Sequence, residues 1–447
     1  MGLLNDSIYL KVLNFMADNS TSASKSPENF VTNFPVYYGW VIMAVGTLGM
    51  IMTSPGQTYT ESIFIEYLIE DLAISRSLIS TLYSAGTLVG GFSLPFWGKQ
   101  IDRHGTRKMV TIVALLFGLS VIYMGFIQNA LMVGLGFILV RMLGQGSLGL
   151  ISQTAINQWW VNKRGTIMGI SGLLMALLGM GAIPGLVYRL ITTFDWRMSY
   201  FILGGAVLLI MTPVGYLFFR NRPEDFGLNP DGLEVEINHQ DQGFHKQPIG
   251  ENWTLKEAMR TRTFWIFGSS TALFTLLATG ITFHLVSIFQ MQGLPPSIAA
   301  SVFIPIAITA AIINLIGGYL SDRIPLHYLL AFGLFLLAIS LLLGLWINNA
   351  GTALLFGILF GATNGLIRAV GQVVWPSFFG REHLGSIYGF TSALAIIGAA
   401  LGPLPFGLAY DFLGSYQPVL LIFIALSVIL GVISLTSRKP QKVTEKE

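Results

Sequence analysis

Twelve apolar segments, each about 20 residues long, constrain this chain more than any other feature. A hydrocarbon core of about 30 Å is crossed by roughly 20 helical residues at a rise of about 1.5 Å per residue. The segments are continuous rather than alternating, which predicts helices rather than barrel strands, because backbone groups in lipid must be satisfied within the segment. We predict them at residues 36–56, 78–98, 107–127, 130–155, 165–189, 198–219, 263–291, 297–320, 327–347, 350–374, 385–410 and 416–437.

The composition excludes several other classes of protein. Hydrophobic residues make up 53% of the 447 residues and charged residues 11%, whereas soluble domains carry about 25% charged residues. A net charge of +3 lacks the basic excess that nucleic-acid binding needs. The chain has no cysteine, which excludes disulfides and a cysteine nucleophile. We therefore expect a lipid bilayer as its surroundings, no nucleic-acid partner and no cofactor.

The distribution of lysine and arginine predicts the orientation in the membrane. Most of the 25 Lys and Arg residues fall in the segments on one side, which we call the basic end. Only Arg76, Arg189 and Arg197 fall at the other side, the opposite end, while Arg141 and Arg368 lie within helices. Because cytoplasmic loops carry the excess of Lys and Arg, we expect both termini in the cytoplasm and a location in the plasma or inner membrane.

An internal repeat divides the chain into two halves. An offset of 220 residues superposes Gly98, Asp102 and Arg103 on Gly318, Asp322 and Arg323. The fold class predicted is an all-α membrane protein of twelve transmembrane helices, arranged as two pseudo-symmetric six-helix bundles. The predicted parts are an N-terminal segment, a first bundle, a cytoplasmic central loop, a second bundle and a tail, at residues 1–35, 36–219, 220–262, 263–437 and 438–447. Parallel six-helix repeats with a midplane site are typical of one class of secondary transporters.

The loop after the second predicted helix carries a family resemblance. It reads Gly-Lys-Gln-Ile-Asp-Arg-His-Gly-Thr-Arg-Lys over residues 98–108 and resembles the signature of the major facilitator superfamily between its second and third helices. Residues 318–323 resemble its second copy, and the stretch from Arg141 to Gly146 is similar to another signature of the superfamily. The resemblance implies that this end closes and opens during transport through Gly98, Asp102, Arg103, Gly105, Arg107, Gln145, Asp322 and Arg323. A small residue at Gly98 is expected to permit close helix approach.

Two arginines lie deep within predicted helices. Arg141 and Arg368 each cost at least about 2.5–3.5 kcal/mol at the bilayer centre unless they face water or a partner. One interpretation is that both face a wet interior and bind an anionic solute, since guanidinium matches carboxylate bidentately. The alternative is a structural arginine that bonds helix carbonyls and, for Arg141, Gln145. Asn314, Asn364 and Gln372 are further candidate pocket residues.

Two titratable residues are candidates for proton coupling. Glu61 follows a Pro-Gly pair after the first predicted helix, and His284 lies in the outer half of the seventh. Histidine changes charge near neutral pH, and a carboxyl in a vestibule can exchange a proton. The alternatives are that Glu61 belongs to an external loop and that His284 bonds a neighbouring helix.

A narrower resemblance concerns the substrate. The stretches around Tyr38, Arg222 and Gly402, together with Tyr410-Asp411, resemble the branch of monocarboxylate porters and oxalate-formate antiporters. We therefore expect a secondary active transporter, not an enzyme, that moves a small anionic solute by alternating access, as a symporter with protons. The chain lacks the cationic residue that this branch places in its eighth or eleventh helix. The alternatives are an efflux carrier for amphipathic compounds and a non-transporting receptor or sensor. The oligomeric state stays open, with a monomer as one option.

Overall fold

The computed structural model describes residues 27–160, 163–232, 252–321, 323–380 and 383–441. These residues form helices and connecting loops and contain no strand. Residues 1–26 of the predicted N-terminal segment, 233–251 of the predicted central loop and 442–447 of the predicted tail lie outside the described residues, and so does Asp322.

The described part of the chain contains twelve long helices, as predicted. Eleven of them are long and apolar enough to cross a membrane. The remaining one, α2, has 29 residues, and its glycines, serines and basic last turn make it less apolar than the others. The helices are α1 (Gly39–Leu72), α2 (Arg76–His104), α3 (Thr106–Met124), α4 (Ala130–Trp159), α5 (Thr166–Thr193), α6 (Trp196–Phe218), α7 (Arg262–Met291), α8 (Pro296–Ser321), α9 (Leu326–Gly344), α10 (Ala350–Phe379), α11 (Ile387–Leu413) and α12 (Gln417–Leu435).

The first helix is longer than the sequence predicted. A 3-10 turn at Ser54–Gly56 interrupts it, and an α-helix then continues over Thr58–Leu72. We predicted an end near residue 56 because proline and glycine there are typical of helix ends and acidic residues follow. The continuation contributes Phe64 to the bundle interior, where its ring stacks on Tyr200 at 3.9 Å between centroids.

The first half of the molecule contains three π-helical segments. They are Arg141–Leu148 in α4, Met175–Ala182 in α5 and Val207–Met211 in α6. The described helices of the second half contain no π-helical segment. Such segments are rare and occur frequently at functional sites, so the two halves differ in regularity although their helix order is the same.

The two halves meet at the opposite end. Helix α2 packs on α11, the Thr58–Leu72 part of α1 packs on α7, and α5 packs on α8. Among the described residues, two hydrogen bonds join the first half to the second, and both lie at the opposite end. The backbone N–H of Ser77 donates to Asp411 Oδ2 at 2.7 Å, and Ser80 Oγ lies 3.3 Å from His284 Nε2.

The basic end is arranged differently. Tyr38 there bonds the carbonyl of Phe218, and Thr263 bonds the carbonyl of Arg438. Each of these bonds stays within one half. Between described residues, no hydrogen bond joins the two halves at the basic end. The hydrogen bonds between described residues of the two halves therefore all lie at the opposite end, and the exposure of Gln145, Arg368 and Gln372 fits a space between the halves that opens at the basic end.

Candidate functional site

A polar stripe runs along the basic-end half of α10. Its members are Asn364, Arg368 and Gln372, which are spaced four residues apart and share one helix face. Asn364 is half-buried, and Arg368 and Gln372 are exposed. On the adjoining faces, Leu366 and Ile367 are buried, the first against α8 and the second against α9. The stripe therefore occupies the side of α10 that neither α8 nor α9 covers.

The Arg368 guanidinium is accessible although it lies in the middle of a membrane-spanning helix. In the described part of the chain it has no hydrogen bond and no ion pair. An arginine in contact with lipid at this depth costs at least about 2.5–3.5 kcal/mol, and two amide residues share its face. The structure thus fits a wet crevice on this side of α10, with Arg368 as a free cation in its wall.

The equivalent helix of the first half, α4, carries a matching stripe. Gln145 and Gln153 are exposed, and Gly149 between them is half-buried. By the pseudo-symmetry of the halves, α4 and α10 border the same space, which we call the crevice. Its described wall consists of Gln145, Gln153, Asn364, Arg368 and Gln372. The sequence analysis missed Gln153, although its spacing of eight residues from Gln145 places both on one helix face.

Arg141 does not lie in the wall of the crevice. Its side chain is 2% exposed, its Nε donates to Thr87 Oγ1 at 3.0 Å and its Nη1 donates to the Gly56 carbonyl at 3.0 Å. The guanidinium also lies over the Tyr83 ring, 4.7 Å from its centroid. These contacts correct the expectation of a solute-facing arginine and fit the structural alternative, although the partners are not Gln145.

The Arg141 contacts have a clear physical reason. The 3-10 turn at Ser54–Gly56 interrupts the helical hydrogen bonds of α1, so its carbonyls need other donors. The arginine supplies one of them and joins α4 to the break in α1.

Asn314 lies beside the polar stripe rather than in it. It is half-buried on α8, and Gly365 on α10 permits the close approach, because a Cβ there would lie 2.8 Å from the Asn314 backbone nitrogen. Its Oδ1 atom is buried without a hydrogen-bond partner among the described residues. A buried unpaired acceptor is costly, so Asn314 stays a candidate for contact with a solute or with water.

Glu61 is fully buried in the first bundle, not part of an external loop. It lies on the Thr58–Leu72 part of α1 with 0% exposure. Tyr200 donates a hydrogen bond to its Oε2 at 2.7 Å, while Oε1 has no partner among the described residues. The structure therefore overturns the loop alternative and places a carboxyl group in the interior of the bundle, away from the open crevice.

His284 lies at the closed contact between the halves. It is 1% exposed, and its Nε2 lies 3.0 Å from the Pro403 carbonyl of α11 and 3.3 Å from Ser80 Oγ of α2. Its Nδ1 lies 3.4 Å from the Tyr416 hydroxyl. The alternative of a histidine bonded to neighbouring helices therefore fits this structure.

Among the described residues, the predicted gating residues at the basic end make no hydrogen bond or ion pair between the two halves. Gly98 does not permit a close helix approach in this structure, because a Cβ there would meet nothing within 4 Å, which corrects that expectation. Arg103 is exposed, and Arg323 lies over the Tyr319 ring at 3.8 Å. The side chain of Asp102 is outside the described residues, as is Asp322. An open basic end explains why Gly98 lacks a close neighbour.

Gly105 and Arg107 stabilise the loop between α2 and α3. Gly105 has φ +79°, a backbone conformation that glycine adopts without strain. The backbone N–H of Arg107 donates to Asn221 Oδ1 at 3.1 Å, and its Nε donates to the Tyr216 carbonyl at 2.8 Å. The loop is therefore attached to the end of α6 within the first half.

Comparison with known proteins identifies the family. The sequence model described as the Major Facilitator Superfamily matches residues 46–327 and 293–447. The chain belongs to this superfamily. Membership confirms the resemblance seen in the sequence and makes the chain a membrane-embedded, multi-pass transporter rather than an enzyme.

Several curated superfamily members are similar to the chain. The "Probable sulfoacetate transporter SauU" of Cupriavidus necator is 25% identical over 389 residues, 82% of this chain and 86% of that protein. The "Probable nitrate/nitrite transporter NarK2" of Mycobacterium tuberculosis is 26% identical, over 80% of this chain and 87% of that protein. The cis,cis-muconate transport protein of Acinetobacter baylyi is 23% identical, over 75% and 78%.

A solved superfamily structure shares the fold. The bacterial homolog of the human lysosomal transporter Spinster, in an inward-facing and occupied conformation, superposes with a TM-score of 0.66 at 13% identity. The match covers 94% of this chain and 100% of that chain. At this identity the likeness concerns the fold alone.

Proposed function

We propose that this superfamily member moves a small organic anion, such as a carboxylate or sulfonate, through the crevice by alternating access. The observation that carries the proposal is Arg368, an accessible guanidinium without a protein partner in the described chain. A carboxylate or sulfonate has paired oxygens that match the donors of a guanidinium. Because no neighbouring carboxylate among the described residues neutralises Arg368, a solute anion completes the charge balance of the crevice.

The amides around Arg368 support the same proposal. Gln372 and Asn364 lie one turn to either side of it, and Gln145 and Gln153 face the crevice from α4. Amide groups both donate and accept hydrogen bonds, so they suit hydroxyl or carbonyl groups on the rest of the solute. The transporters named above are described as carriers of sulfoacetate, nitrate or nitrite, and muconate, all of which are anions.

Proton coupling is a separate part of the proposal and depends on Glu61. Its carboxyl group is buried, one oxygen accepts a hydrogen bond from Tyr200, and the other has no partner among the described residues, which leaves that oxygen available to carry a proton. Opening of the opposite end would give this group access to water and allow it to release its proton. His284 is the second candidate, because opening would break its contact with Ser80 of the first half.

A thermal-shift screen of the purified protein tests the anion proposal. A bound solute raises the apparent stability by mass action, by about 2.7 kcal/mol at 100 times its Kd. The panel is sulfoacetate, galactonate, nitrate, muconate, a neutral sugar and tetraphenylphosphonium. We expect stabilisation by at least one of the organic anions, and its loss in Arg368→Gln but not in Arg189→Gln, which removes an exposed arginine at the opposite end.

Two outcomes would contradict the proposal. Stabilisation by tetraphenylphosphonium alone would favour the efflux alternative for amphipathic compounds. Retention of the anion-induced shift in Arg368→Gln would remove Arg368 from the binding site. For coupling, uphill uptake in vesicles should fall when a protonophore collapses the proton gradient at fixed membrane potential, and Glu61→Gln should transport only downhill.

A further inference from the structure

Helix α10 contains a proline one turn beyond the polar stripe. Pro376 has no backbone N–H, so the carbonyl of Gln372, four residues earlier, cannot receive its helical hydrogen bond. The rest of α10 continues to Phe379, and its last turn packs on Phe264 of α7 through Trp375. The helix therefore continues past a carbonyl that the proline leaves without a donor.

Another helix supplies the missing donor. The hydroxyl of Tyr388, in the first turns of α11, donates to the Gln372 carbonyl at 2.8 Å. Tyr388 is half-buried and belongs to the same half of the molecule. The bond connects α10 and α11 at the basic end of the crevice, one turn from Arg368.

Two other prolines that lie inside long regular α-helices allow a comparison. Pro95 in α2 and Pro305 in α8 remove the same kind of bond from the carbonyls of Gly91 and Ser301. No described side chain donates to either of these carbonyls. Pro376 thus differs from these two prolines in having a side chain of another helix as the replacement donor.

We propose that Tyr388 is a positioning residue for the Arg368 site: it replaces the hydrogen bond that Pro376 removes and thereby fixes the orientation of the stripe. The proposal depends on the function proposed for Arg368. Gln372 is exposed, so without the tyrosine its carbonyl would bond to mobile water, which does not fix the helix geometry, and α10 could bend at Pro376. Such a bend turns Gln372 and Arg368 relative to α4.

A double-mutant cycle tests the bond itself. The chain has no cysteine, so Gln372→Cys places a single thiol in the crevice and keeps the backbone carbonyl. Four proteins are compared, all carrying Gln372→Cys. The first has no other change, the second adds Tyr388→Phe, the third adds Pro376→Ala, and the fourth adds both. The measurement is the ratio of thiol modification rates with anionic sulfonatoethyl and cationic trimethylammonioethyl methanethiosulfonate. The thermal unfolding midpoint of each purified variant serves as the folding control.

Pro376→Ala restores the backbone N–H, so it should make the tyrosine hydroxyl dispensable. We expect Tyr388→Phe to lower the rate ratio about fivefold when Pro376 is present, the size of a change of about 1 kcal/mol. In the Pro376→Ala background the same substitution should change the ratio less than twofold. If the Tyr388→Phe protein fails to accumulate, restored accumulation in the double variant supports the proposal and failure in both backgrounds overturns it.

Equal effects of Tyr388→Phe in the two backgrounds, or no effect in either, would overturn the role of Tyr388. The variant Arg368→Gln distinguishes this failure from failure of the proposed function. A reduced ratio in Arg368→Gln without coupling between Tyr388 and Pro376 leaves the anion site in place. Coupling between the two residues, combined with an unchanged ratio in Arg368→Gln, supports the hydrogen bond and overturns the anion site.

Discussion

The charge of Arg368 should be measurable without knowledge of the solute. The two charged methanethiosulfonates react with a thiol at Gln372→Cys, one helical turn from Arg368. Four residues at about 1.5 Å rise give a separation of roughly 6 Å along the helix. With the reagent charge about 7 Å from the guanidinium, Coulomb's law gives about 0.6 kcal/mol in a water-like dielectric. The anion gains this energy and the cation loses it.

The difference between the two reagents is therefore about 1.2 kcal/mol, or roughly sevenfold in the ratio of their rates. Sevenfold is a lower bound, because the dielectric constant in the crevice is below that of water and the interaction is correspondingly stronger. We expect Arg368→Gln to reduce the ratio of anion to cation rates by at least this factor at low ionic strength. Salt at about 1 M, where the Debye length is about 3 Å, should remove most of the difference.

The assay has an internal control and a clear refutation. Arg189→Gln removes the same charge from the opposite end and should leave the ratio unchanged. A change of less than twofold in Arg368→Gln at low salt would show that the guanidinium does not face the crevice near Gln372, and the argument for an anion site would fail.

Three further predictions concern contacts outside the crevice. Asp411→Asn weakens the charge-assisted bond to the N-terminus of α2, worth roughly 0.5–1 kcal/mol at an exposed site. Labelling of a Val286→Cys thiol, which would be buried beside a cavity of about 80 Å³ at the closed end, should therefore rise two- to fivefold, and an unchanged rate would refute a role of Asp411 in holding this end closed. Gly105→Ala should lower the free energy of unfolding by about 1–3 kcal/mol because of its positive φ, whereas Gly98→Ala should be near neutral; equal midpoints would contradict this reasoning. Arg141→Gln should destabilise by about 2–3 kcal/mol through loss of its bonds to Gly56 and Thr87, while Arg368→Gln should leave the unfolding midpoint unchanged; the reverse order in a thermal scan would exchange the roles assigned to these arginines.

Hydropathy predicted the twelve helices because each must satisfy its backbone within lipid, and this requirement is local in sequence. The continuation of α1 past Gly56 was missed because its stabilising contacts are distant: Tyr200 pairs with Glu61, and Arg141 bonds the broken turn. From the sequence alone Arg141 and Arg368 are equivalent, since both carry the same desolvation penalty. Only the three-dimensional positions of Gly56 and Thr87 distinguish the satisfied arginine from the free one.

The candidate site was partly predictable for a similar reason. The spacing of Asn364, Arg368 and Gln372 follows from helix periodicity, and all three were expected near the solute. Tyr388 was not, because its role depends on a proline in another helix and on how α11 packs beside α10. The partner of Asp411, Ser77, and one partner of His284, Ser80, likewise come from the other half of the molecule, which no local pattern indicates.

Among the described helices, π-helical segments occur only in α4, α5 and α6, and this has a mechanical consequence. A π turn holds one residue more than an α turn, and exchanging one for the other rotates the helix beyond it while the flanking turns stay intact. By this reasoning the helices of the first half can rotate and change the surface that faces the crevice. The regular helices of the second half keep Arg368 in a fixed position. In the proposed transport cycle, the first half would then change shape while the second half keeps the shape of the proposed anion site.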